Sequence, residues 1–410
     1  MKELQEKYAN VILNVCLKVK KNQSLFISAN SERLDFVRIV ADEALKIGVK
    51  DIYFDITDPI LKHSILKELS LEDLKKHQYF NKEKWNEYAK KGAAFVMLAS
   101  ETPGLMKDID SKKLSNITMY AYETRKEFDE LRNKSMVPWC IAAVPTAAWA
   151  KEVFPNSKTP VEDLWSKIFE VCSITQDNPE KIWQEKTKKL DERSKKLTDY
   201  HFKKLIYTNS LGTDFTIELP SKAVWKSGFE SLKNGSKVLV NYPTEEVFTS
   251  PDCKTANGIV YAAKPLSYQD NMIRDFWIRF ENGVAVECYA KEGQETLQNI
   301  ISSCKNSNML GEVALVPYDS SISNSNIVFY ETLFDENAAC HLALGDSFAE
   351  CIENGTEIAK KELFKKYNLN DCTNHVDFMI GNKDTDILGI TEDNKEIQIF
   401  KNGNFTDLFN

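Results

Sequence analysis

Histidine is scarce in this chain, with five in 410 residues, at positions 63, 77, 201, 341 and 375. Several familiar devices are missing altogether. The nine cysteines form no CxxC pair and lie scattered, mostly among apolar neighbours. That speaks against a disulfide frame or a structural zinc site and for reduced, buried thiols of a cytoplasmic protein. No run approaches the roughly 18 apolar residues that a membrane span needs. The N-terminal stretch MKELQEKYANVILNVCLKVKK is charged from its second residue and lacks the apolar core of a signal peptide. An excess of positive charge is missing too. The 53 Lys and Arg against 61 Asp and Glu give a net charge of −8, which argues against a nucleic-acid partner. The basic cluster at 186–196 (KTKKLDERSKK) is interleaved with acids on a helical pattern and reads as a solvated face. Finally, the first strand–helix turn, SANSERLDF, has no glycine where GxGxxG would admit a pyrophosphate, and no GxxxxGK[ST] occurs anywhere. A nucleotide site in this half is therefore not expected.

What is present reads as a globular protein of two or more domains, 42% hydrophobic and 28% charged. Strand patterns at 24–29, 49–56, 92–100, 116–122 and 139–145 alternate with helical ones. The helix at 30–48 carries an apolar stripe of Leu34, Val37, Ala41, Ala44 and Leu45 and stops at Gly48. This predicts a parallel sheet covered by helices. A charged helical stretch, 177–200, bridges to a second half rich in hairpins: FKKLIYT with TDFTIEL, RDFWIRF with VAVECYA across ENG, and EIQIFKNGNF. The expected fold class is thus α/β, with an N-terminal parallel-sheet domain (1–185). A mixed α/β domain with antiparallel strands (186–410) follows it.

Titratable residues in awkward places mark the second half. His63 and His77 lie on charged helical stretches and His201 in the polar bridge, so all three read as surface residues. His341, in contrast, lies in the apolar run FDENAACHLALGDSF. His375 and Asp377, two apart in HVDFMIG, share one strand face, while Val376 and Phe378 point into the core. Glu246 stands beside Val247 and Phe248, and Glu312 sits in the strand GEVALVP. Carboxylates in such surroundings are costly unless they pair with Arg or Lys, or bind a metal. Taken together, three carboxylates and two imidazoles suit a pair of divalent ions better than one structural zinc. Two such ions, about 3.5–4 Å apart, lower the pKa of a shared water and polarise a carbonyl, which is the chemistry of metal-dependent hydrolysis.

The stretches NYPTEEVFTSPD (241–252), GEVALVPYDSSIS (311–323), FYETLFDENAACHLALG (329–345) and HVDFMIG (375–381) resemble, in this order, the aminopeptidase T / aminopeptidase S family of bacterial metalloaminopeptidases. The likeness leans toward the S type and covers essentially the whole chain. It implies a two-domain fold, two divalent ions (zinc, cobalt, manganese or magnesium), release of N-terminal amino acids from peptides, and a homodimer. The family's metal ligands then fall on Glu246, Glu312, His341, His375 and Asp377, with Glu312 between the two ions. Glu336 is the candidate general base, or else a group orienting His341. One position departs from the family: Phe348 stands where a tyrosine is expected, and a phenyl ring neither ligates a metal nor donates to an oxyanion. Either Tyr330 or a water takes that role, or activity is reduced. Two rivals remain: a weakly active or non-catalytic homologue that binds metal or peptide, and a dinuclear hydrolase of non-peptide substrates.

Overall fold

Four apolar stretches of the N-terminal part pair in parallel: β1 (Ser24–Asn30), β2 (Asp51–Thr57), β3 (Ala94–Ala99) and β4 (Trp139–Ala143). The computed structural model describes every residue except Glu101, Gln269 and Asp270, and not the side chains of 77–82, Ser111 and Ser115. The expectation that His77 lies at the surface falls outside the described residues. The sheet order is β4-β3-β1-β2, with Asn241–Tyr242 added in parallel beside β4. The inner strands β1 and β3 are covered on both faces and largely buried, whereas the edge strand β2 carries Asp51 and Asp55 and exposes Phe54. Phe26 and Phe95 are fully buried and stack with ring centroids 4.8 Å apart.

Helix α1 (Leu34–Ile47) ends at Gly48, whose φ of 90° suits a residue without a Cβ. Its buried face is Phe36, Val37, Val40 and Ala44, whereas Leu45 is 59% exposed. The stripe read from the sequence is therefore rotated. Phe36 packs on Tyr8 and Trp165, at 5.7 and 5.3 Å, and that aromatic contact buries more area than Leu45 offers. A second correction concerns 116–122. This stretch is helical, within α2 (Ser111–Thr124), because Asp110 caps the helix by accepting the Lys113 N–H at 2.8 Å. Its residues Leu114 and Ile117 then share the helical spacing that packs them on Leu66, Leu74 and Ile109.

The chain divides into two compact units, Met1–Glu185 with Phe229–Pro243, and Lys186–Gly228 with Thr244–Asn410. The break at 185/186 falls inside α3 (Pro179–Asp199). The second unit contains a large antiparallel sheet that holds the expected hairpins: Phe202–Thr208 with Asp214–Glu218, Asn271–Glu281 with Val284–Glu292, and Glu396–Lys401 with Asn404–Phe405. It also contains a smaller antiparallel sheet built from β5 (Val247–Thr249), β6 (Leu310–Leu315), β7 (His341–Gly345) and β8 (His375–Met379). The order is β8-β7-β6-β5, closed by Lys226–Ser227. Val376 and Phe378 are buried, 5% and 1% exposed, which contributes about 1.5–3 kcal/mol for each large side chain. The alternate positions of β8 are thereby fixed on the opposite face.

Among the described residues no helix is long and apolar enough to cross a membrane.

Candidate metal centre

Strand register brings the acids and imidazoles of the second unit together. Ala343, in β7, pairs with Glu312 of β6 on one side and with Asp377 of β8 on the other. The methyl group of Ala343 leaves space between the two carboxylates. His341 lies two residues before Ala343 and therefore on the same face, and His375 pairs with Gly345. Register in β6 slips between Leu310 and Glu312, a bulge centred on Gly311. A Cβ there would meet Asp346 O and Gly345 O at 2.2 Å, so only glycine permits the slip that aims Glu312 inward.

The imidazoles are oriented from behind. His341 Nδ1 donates to Ala339 O at 3.2 Å, leaving Nε2 3.4 Å from Glu246 Oε2. His375 Nδ1 donates to Asp346 O at 2.9 Å, leaving Nε2 3.0 Å from Glu312 Oε2 and 3.3 Å from Asp377 Oδ1. A proton fixed on Nδ1 by a carbonyl is the usual way in which Nε2 is presented to a metal. Glu246, Glu312 and His341 offer ligand atoms all within 4.8 Å of one another, and so do Glu312, His375 and Asp377. Glu312 belongs to both groups.

The electrostatics fit a cation. Among the described residues no Lys or Arg pairs with Glu246, Glu312 or Asp377; only the two histidines do. Asp377 Oδ1 is buried without a hydrogen bond, His375 Nε2 being close but outside bonding geometry. Burial pushes the Glu312 carboxyl up to about 7 despite its bond to His375. Burial alone would lower His341, but the hydrogen bond to Glu246 and the charges of Asp377 and Glu312 carry it up to about 9. A buried cluster of carboxylates with no Lys or Arg beside it, in which Glu312 is pushed toward its protonated form, is the environment that a divalent ion relieves.

Glu336 stands beside this set, its carboxyl pushed well up by burial and then by Glu246, Asp377 and Glu312. Its neighbour Asn337, fully buried, ties the turn in place. Asn337 Oδ1 accepts the Glu245 N–H at 2.8 Å, and its Nδ2 donates to Leu333 O at 3.1 Å. The turn is thus locked to the residue preceding Glu246. Phe348 also reaches the site: its ring centroid is 5.0 Å from that of His375 and 5.5 Å from that of Phe248. Tyr330 adopts a left-handed backbone, φ 56°. Asp335 holds that turn by accepting the N–H groups of Phe329 and Glu331 at 2.8 and 3.2 Å. Among the described residues no side-chain hydrogen bond joins Tyr330 to any of the five.

Sequence reasoning missed the residues that position the set, namely Asn337, Gly345 and Asp346. Gly345 left a signal, as an isolated glycine inside a strand pattern. Its φ is 111°, and a Cβ would meet Asn374 O at 1.9 Å. Asp346 acts through its backbone carbonyl, which leaves no trace in residue type.

A family model described as thermophilic metalloprotease (M29) matches residues 1–405. The chain is 38% identical to aminopeptidase AmpS of Bacillus subtilis over 400 residues, covering 97% of each chain. It is 37% identical to aminopeptidase 2 of Geobacillus stearothermophilus, covering 98% of each. The solved structure of wild-type AmpT from Thermus thermophilus superposes with a TM-score of 0.90 at 30% identity, over 99% of both chains.

Proposed function

This chain belongs to the thermophilic metalloprotease (M29) family and is a metal-dependent aminopeptidase acting on peptides, and on that premise we propose that its centre takes two divalent ions. Glu246, Glu312 and His341 would hold one, and Glu312, His375 and Asp377 the other. The observation that carries this reading is the sharing of Glu312 by both ligand groups. Zinc, cobalt, manganese and magnesium all suit carboxylate and imidazole donors. When bound, such ions act as Lewis acids that acidify water and polarise the scissile carbonyl.

The chain's own residues supply the rest. Glu336, held by the Asn337 turn, is the group we assign to take a proton from water and return it to the leaving amine. Its raised pKa fits the return step. The alternative, that Glu336 only orients its surroundings, is separated by Glu336→Gln. Loss of turnover with metal content unchanged supports the base role, and retained turnover rejects it. Ala343, fully buried, and the ring of Phe348 beside His375 limit water around the set.

A second reading, a weaker enzyme, rests on Phe348, since the ring beside His375 is a phenyl that has no hydroxyl to donate to a developing oxyanion. We also infer a homodimer. Among the described residues the strand Val284–Glu292 pairs with no strand but its hairpin partner and exposes Val286 and Tyr289, a sheet edge that a second copy would cover. Nine free thiols support a reducing, cytoplasmic setting.

A further inference from the structure

Two thiols that the metal centre does not use face each other nearby. Cys304 follows the helix Gln294–Ser302, and Cys372 lies in the loop leading into β8. Their Sγ atoms are 3.1 Å apart. The two loops are already joined by side-chain amides. Asn370 Nδ2 donates to Asn306 O at 3.0 Å, and Asn306 Nδ2 donates to Asp371 O at 3.2 Å. Asn374 Nδ2 donates to Ser303 Oγ at 3.4 Å. Little chain entropy is left to lose in bringing these sulfurs together.

The two thiols differ in chemistry. Cys304 is partly exposed, while Cys372 is 9% exposed. Burial pushes Cys304 up, but hydrogen bonds with Thr373, Cys372 and Ser303 outweigh it and leave the thiol below its ordinary range. Burial pushes Cys372 up to about 11. An accessible thiol of lowered pKa beside a second one is the arrangement of a redox pair. The other hydrogen-bonded pair, Cys16 with Cys140, is fully buried and closed to solutes.

The pair is also wired to the centre. The Cys372 N–H donates to Asp346 Oδ1 at 3.2 Å, and Asp346 O accepts from His375 Nδ1 at 2.9 Å. We propose that Cys304 and Cys372 form a modification site that peroxide oxidises reversibly to an intramolecular disulfide, and that this bond loosens the hold of Asp346 on His375. The second clause rests on His375 being a metal ligand. In the first step the Cys304 thiolate attacks one oxygen of hydrogen peroxide, giving a sulfenic acid and hydroxide. Cys372 sulfur then displaces the hydroxyl from Cys304 and loses its proton, so that the S–S bond forms and water leaves. Two thiols lose two electrons and two protons in all, and the peroxide becomes two waters. Closing the sulfurs to about 2.05 Å draws the loop by roughly 1 Å, against the Asp346 contact.

The test uses the metal-loaded full chain. It is treated with a few equivalents of hydrogen peroxide, alkylated, digested and read by mass spectrometry. Metal retained after dialysis and hydrolysis of an aminoacyl anilide are measured in parallel. The expected result is a Cys304–Cys372 linked peptide with a fall of about tenfold in metal retention and turnover, the scale for disturbing a ligand's supporting partner. Dithiothreitol should reverse the link and, once the reductant is removed and metal is re-supplied, the falls in metal retention and turnover as well, and Cys304→Ser and Cys372→Ser should each prevent all three. Absence of the linked peptide overturns the proposal, and so does its presence with metal and turnover unchanged. Metal content of the untreated, reduced protein is read first. Its absence there would reject the metal-centre reading, and the linked peptide is scored independently of it.

Discussion

His375 Nε2 lies 3.0 Å from Glu312 Oε2, although the two residues sit on β8 and β6 with β7 between them. The contact exists because Ala343, the β7 residue between Glu312 and Asp377, is small and because the bulge at Gly311 aims Glu312 across it. Among the described residues Glu312 is therefore the carboxylate that both ligand groups share.

From this sharing follows an ordering of variants. Glu312→Ala should abolish binding at both positions, whereas His341→Ala and His375→Ala should each leave closer to one ion per chain. Turnover should fall by about 100-fold or more in all three, since even outer partners of metal ligands are worth 10–100-fold. Elemental analysis of the dialysed proteins decides it. Equal metal loss in all three would remove the special role of Glu312.

The metal-free protein should lose stability as pH rises. The folded pKa of His341, about 9, exceeds its ordinary value of 6.5. Its contribution is therefore complete below 6.5 and lost as pH climbs through 9. Glu312, raised from 4.5 to about 7, acts in the same direction over the lower window, complete below 4.5 and lost through 7. Metal binding needs the imidazoles neutral, so it should release protons and tighten as pH rises from 6.5 to 9. Thermal melts of the apo and metal-loaded forms across this range test both statements. An apo melting temperature that rises with pH contradicts them.

Phe348→Tyr should raise kcat with little change in KM. The ring stands beside His375, and one added oxyanion donor is worth up to about 100-fold. Steady-state kinetics with an aminoacyl anilide provide the check. An unchanged kcat would mean that the phenol has no part to play in this chain.

Gly345→Ala should destabilise the second unit by about 1–3 kcal/mol, the cost of holding an unsuitable residue in such a conformation. The new methyl would collide with Asn374 O and displace the start of β8 with His375. Chemical denaturation and metal content should therefore fall together. A variant that is destabilised yet keeps its metal would separate Gly345 from the centre.

Much of this site was legible in the chain because burial of a charge is expensive. Glu246, Glu312 and His341 are 6%, 4% and 2% exposed, and each stood out as a titratable group in an apolar run. His375 and Asp377 were legible from the period-2 alternation with Val376 and Phe378. What could not be read is contributed by backbone and register. The carbonyls of Ala339 and Asp346, the slip at Gly311 and the amide of Asn337 depend on tertiary pairing. The two fold corrections have the same origin. The apolar stretch 116–122 predicts a strand, but the Asp110 cap and the packing of Leu114 and Ile117 chose the helix. Leu45 fitted the stripe of α1, but Phe36 filled the space.

The most direct measurement strips the purified protein of metal and re-supplies zinc, cobalt or manganese. Hydrolysis of leucyl- and arginyl-p-nitroanilide is then followed, with bound metal counted in the same samples. Cleavage that returns as occupancy approaches two ions per chain, and is absent in His341→Ala, is the result predicted here. Full cleavage by the metal-free protein, or recovery complete at one ion per chain, would contradict the two-ion centre built on Glu312.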